Sequence, residues 1–148
     1  MSTFQYKFEK ILTVREKEKT DAQAKYGEAV NKFEEVANKL YKLLKKKEDL
    51  LQYQQEKMLE GLPIIELRQH QVFLENVEKT IAHCQQQVIV ARQRMEAYQT
   101  VLIERNIEVK KYEKIKEKQF ERYIEASKVE ESIQMDDISI QTFLSKEN

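Results

Sequence analysis

The sequence predicts an all-α protein built as a long antiparallel two-stranded coiled-coil hairpin. Three observations carry this. Apolar residues recur every 3.5 positions along most of the chain. The 148 residues include only two Gly and one Pro, too little punctuation for a multi-turn β protein or a Gly-rich phosphate loop. Charged residues make up 35% and the hydrophobic class 41%, a pairing that suits helices with broad solvated faces.

The first helix is expected over about residues 4–59. That stretch is rich in Lys, Glu, Gln, Leu and Ala, the stronger helix formers. Gly27 lies inside it and costs about 1 kcal/mol relative to Ala, which weakens the helix without ending it. Alternating steps of four and three pick out Phe8, Leu12, Arg15, Lys19, Ala22, Tyr26, Ala29, Phe33, Val36, Leu40, Leu43, Lys47, Leu50 and Gln54, and ten of these fourteen are apolar.

The tip falls at residues 60–63, because Gly61-Leu62-Pro63 is the one place where both breakers meet. Proline suits the first turn of a new helix, where its missing N–H is not needed. The second helix is expected over about residues 64–126. Its seam runs Leu67, His70, Leu74, Val77, Ile81, Cys84, Val88, Ala91, Met95, Tyr98, Leu102, Arg105, Val109, Tyr112, Lys116, Gln119 and Tyr123, with thirteen of seventeen apolar. A period of 3.5 held this long implies left-handed supercoiling. Each helix would extend roughly 80–95 Å at ~1.5 Å per residue.

A short loop favours folding back within one molecule, so the free protein is expected to be a monomer. In a hairpin the numbers of facing residues add to a constant, and 124 aligns the two seams. It sets Leu43 against Ile81, Leu40 against Cys84, Val36 against Val88, Phe33 against Ala91 and Ala29 against Met95. Large residues then often meet small ones, which helps layers reach native density. Toward the termini Arg15 interrupts the seam opposite Val109, and Lys19 faces Arg105, like charges tolerable only by reaching into water. That end is expected to fray, or to be held by something else. Beyond Ser127 the composition turns to Ser, Glu, Asp and Gln, which reads as a flexible tail over residues 127–148. It contains a docking motif, Met135-Asp136-Asp137-Ile138-Ser139-Ile140, followed by Phe143.

Catalysis finds little support. Zinc needs three or four converging soft ligands, and the chain offers His70, His83 and Cys84, with His70 and Cys84 ~21 Å apart along one helix. Carboxylate pairs such as Glu34/Glu35 read as solvated faces, because a coiled coil has no water-poor pocket to perturb them. No enzyme activity, metal or cofactor is expected. Twenty-six Lys plus Arg balance twenty-six Asp plus Glu, whereas nucleic-acid binders usually show a net basic face, so no nucleic-acid partner is expected. The longest apolar runs are about four residues, far short of the ~20 that span a bilayer. Met1–Lys10 is aromatic and charged, unlike a signal peptide. The reading is a cytoplasmic protein with no direct membrane insertion.

Apolar residues outside the seam are the better functional candidates, since a two-stranded coil leaves them uncovered. They include Val30 on the first helix and Val72, Phe73, Ile107, Ile115 and Ile124 on the second. Val72 and Phe73 beside Val77 form a patch suited to a partner's groove or ring. Two other classes of reading are a parallel homodimeric scaffold and a prefoldin-like holdase. The latter would need strands for ring assembly, and no period-2 stretch of adequate length is present.

Five stretches together resemble the FliJ family of flagellar type III export proteins, especially its firmicute forms. They are Phe4-Gln5-Tyr6-Lys7-Phe8-Glu9-Lys10-Ile11-Leu12, Gly61-Leu62-Pro63, His70-Gln71-Val72-Phe73-Leu74, Asn106-Ile107-Glu108-Val109-Lys110-Lys111-Tyr112-Glu113-Lys114 and Met135-Asp136-Asp137-Ile138-Ser139-Ile140. The resemblance implies a non-enzymatic stalk and general chaperone. Its implied partners are the hexameric flagellar export ATPase, the cytoplasmic domain of the membrane export gate protein, and export chaperones. It implies peripheral association with the cytoplasmic face of the membrane at the flagellar base. Gate contacts in the family fall on an aromatic and an aliphatic residue four apart in the second helix, a spacing matched by Phe73 and Val77. The full expected contact set is Val72, Phe73, Val77, Ile107, Ile138, Ile140 and Phe143.

Overall fold

The computed structural model describes residues 3–147, which form two helices, α1 (Glu9–Glu60) and α2 (Ile64–Glu147), packed as an antiparallel hairpin with no strand among the described residues. Met1, Ser2 and Asn148, assigned above to the hairpin and tail, lie outside the described residues. The tip is close to the expected place. Gly61 has φ 92°, the left-handed region that favours glycine, and its N–H donates to the Met58 carbonyl at 3.3 Å, closing α1. The Pro63 carbonyl accepts the first bond of α2 from the Leu67 N–H at 3.0 Å, so proline stands just outside the helix rather than in its first turn.

Two boundaries differ from the sequence expectation. α1 begins at Glu9 rather than near residue 4, because residues 3–8 leave the helix and turn at Lys7-Phe8. The Glu9 N–H bonds the Tyr6 carbonyl at 3.2 Å, and the Phe8 carbonyl accepts from the Leu12 N–H at 2.9 Å as the first helical bond. α2 continues past Ala126 to Glu147, where a flexible tail was expected. The shift toward Ser and Asp lowers helix propensity, but no Gly or Pro follows Pro63 to stop propagation from an established helix.

Packing divides into two units, residues 21–103 and residues 1–20 with 104–148. In the first, the buried layers are Ala22, Ala29 and Val36 from α1 and Val77, Ile81, Cys84 and Ala91 from α2. The register agrees with the expected total of 124 to within one: Lys47 pairs with Glu78 at 3.6 Å, the Arg92 guanidinium lies 5.7 Å from the Phe33 ring, and Tyr53 stacks on His70 at 5.1 Å. Leucines sit half-buried at the outer layers while Cys84, at 1% exposure, is fully enclosed.

In the second unit the non-helical residues 3–8 supply a core of their own. Tyr6, Leu12 and Val109 are buried, with Phe4, Phe8, Tyr112 and Ile115 packed against them. The Tyr6 hydroxyl donates to the Tyr112 carbonyl at 2.8 Å. Phe4 meets Phe120 edge-on at 5.2 Å and lies 5.4 Å from Tyr123. This hook covers Ile115, which a bare two-helix seam would leave open, and it ties the start of α1 to residues 109–123 of α2. Two of the positive charges that interrupt the seam toward the termini, Arg15 and Arg105, are met by Glu18, which is half-buried. It accepts from Arg15 Nη1 at 3.1 Å on each carboxylate oxygen and pairs with Arg105 at 3.5 Å. The hydrogen bond to Glu18, then its charge, raises the Arg15 pKa further above its already high value.

Candidate partner-binding surface

Seven residues are expected as partner contacts, and they are divided between the two units. Val72, Phe73 and Val77 belong to the unit of residues 21–103, while Ile107, Ile138, Ile140 and Phe143 belong to the other. In the unit of residues 21–103, Val72 and Phe73 share a local surface. They line a shallow depression of about 360 Å³ with Arg68, Gln69 and Asn76. Both are exposed, because positions 72 and 73 lie between the seam residues His70 and Leu74 in the helical repeat and turn away from α1.

The Lys46 ammonium sits 5.2 Å from the centre of the Phe73 ring, a cation–π contact that fixes the ring while leaving 44% of the residue exposed. Lys46 was not among the sequence candidates. The register that sets Lys47 against Val77 places Lys46 little more than a turn from Phe73, within reach of a long side chain, and that signal could have found it.

Val77 is corrected. It is buried in the seam at 6% exposure, so it does not share an outer face with Phe73, and its four-residue spacing serves packing instead. Ile107 is exposed beside Arg15, Glu104, Arg105 and Glu108, with which it lines a shallow depression of about 510 Å³. Ile138, Ile140 and Phe143 are exposed on the last turns of α2. As an extended motif Ile138 and Ile140 would share a face, but on a helix two positions are ~200° apart. The structure therefore separates them.

The aromatic hook is likewise absent from the sequence expectation. Phe4, Tyr6 and Phe8 alternate, a period-2 aromatic pattern, and counting only helical steps passes over it. Burial is the main reason that the Tyr6 hydroxyl is pushed above the ordinary tyrosine pKa; the negative charge of Glu9 and Tyr112 adds to it, and Lys116 opposes it. No group of His, Cys, Asp or Glu among the described residues is arranged to hold a metal ion. No helix among them is long and apolar enough to cross a membrane.

A family model described as "Flagellar FliJ protein" matches residues 4–148. A protein of Bacillus subtilis (strain 168) named "Flagellar FliJ protein" is 43% identical over 141 residues, covering 95% of this chain and 96% of the relative. No solved structure matches the chain.

Proposed function

The chain belongs to the flagellar FliJ family, and from that premise we propose that it is a non-enzymatic component of the flagellar type III protein export apparatus. In this reading it is a coiled-coil stalk and general chaperone. It binds the export ATPase hexamer, the cytoplasmic domain of the membrane export gate and export chaperones, at the cytoplasmic face of the membrane by the flagellar base. The observation that carries the reading is a family match over nearly the whole chain, joined to a helix pair that keeps Val72 and Phe73 outward.

An asymmetric helix pair set in a six-fold ring makes the ring's sites inequivalent. It promotes assembly or turnover only insofar as it binds some ring conformations better than others. The Phe73 ring, supported by Lys46, offers the gate an aromatic anchor whose remaining exposed area is worth about 1 kcal/mol on burial.

The test adds the protein to the purified export ATPase and follows ATP hydrolysis and ring formation. Both should rise. No change in either, with an ATPase active by itself, overturns the stalk reading. Gate binding is measured separately with Phe73→Asp, which should weaken it more than tenfold.

A further inference from the structure

We propose that the last turns of α2, residues 129–144, are a docking helix for an apolar groove on another protein that carries a Lys or Arg near its centre. Every described side chain from Lys128 to Lys146 is exposed, so no described residue covers these turns. Val129, Ile133, Ile140, Phe143 and Leu144 are each 55–62% exposed. At about 100° per residue they fall within an arc of roughly 100°, the width of an apolar stripe on an amphipathic helix. Met135 and Ile138 lie off that arc. The Thr142 hydroxyl donates to the Ile138 carbonyl at 2.8 Å, which turns it back along the helix.

Charge decides the occupant. Asp136 lies inside the arc, between Ile133 and Ile140, and Asp137 and Glu130 border it. Pairing the arc with that of a second copy, parallel or antiparallel about its midpoint, sets these aspartates against each other in the middle of an apolar contact. An unpaired carboxylate buried there is costly. A membrane surface is disfavoured as well, because interfacial helices usually carry Lys and Arg on the polar face and anionic lipid repels these carboxylates. A groove with a central cation satisfies both the stripe and Asp136.

The test places the photocross-linker p-benzoylphenylalanine at position 133, 140 or 138 of the full chain in its native cell. Positions 133 and 140 should give an adduct with one protein whose cross-linked segment carries a Lys or Arg, and position 138 should not. Adding Asp136→Lys should cut the yield more than tenfold, and Asp136→Asn should cut it less, with helicity by circular dichroism unchanged for both. Equal yield from position 138, adducts with a second copy or with lipid, no adduct, or a yield indifferent to Asp136→Lys would each overturn the proposal. ATPase stimulation is read separately, so loss of the stalk reading leaves this result standing.

Discussion

At the residue scale, Tyr6 and Phe73 show how position in the fold decides what an aromatic side chain does. Tyr6 is buried with its hydroxyl committed to the Tyr112 carbonyl, and Tyr6→Phe should cost about 0.5–1.5 kcal/mol near neutral pH by urea unfolding. The sign of its pH dependence follows from the raised pKa. The folded state holds the proton more tightly than the unfolded chain, so the stability Tyr6 contributes is present below about pH 10 and is lost as pH rises through the folded-state value. The gap between the parent and Tyr6→Phe should therefore narrow above about pH 10. Phe73 is half-exposed and touches one lysine, so Phe73→Asp should cost about 1 kcal/mol and leave helicity nearly unchanged. A large loss of helicity would make Phe73 a core residue.

At the element scale, the seam was legible and the ends were not. All fourteen seam positions of the first helix are buried or half-buried, as are sixteen of seventeen in the second, Arg105 being the exception because its guanidinium reaches out to Glu18. Periodicity succeeds there because each position faces a helix, and a partner is what a 3.5 repeat reports. It says nothing of residues 3–8, whose partners are met outside helical geometry, or of residues 128–146, where helix persists with every described side chain exposed. Val77 shows a further limit: its spacing from Phe73 matches a contact pair while its heptad position puts it in the seam, and the structure follows the heptad. Ile81→Ala, in a closed layer, should cost about 2–5 kcal/mol by urea denaturation. At the tip, Gly61→Ala should cost about 1–2 kcal/mol, since φ 92° strains any residue with a Cβ.

At the scale of the whole molecule, one chain folded back on itself should run near 17.8 kDa by light scattering. A clean dimer at micromolar concentration would favour a two-chain coil instead. Spin labels at positions 33 and 91 should report one short distance in a single copy, because both belong to facing layers of the same unit. The single cysteine adds a reporter that needs no label design. Cys84 is 1% exposed within the helix pair, so a maleimide reagent reaches its sulfur only when the strands of the hairpin come apart. The alkylation half-life of the untouched protein is thus a stopwatch for breathing of the central layers, and it should lengthen when anything clamps the pair shut and shorten with Ile81→Ala.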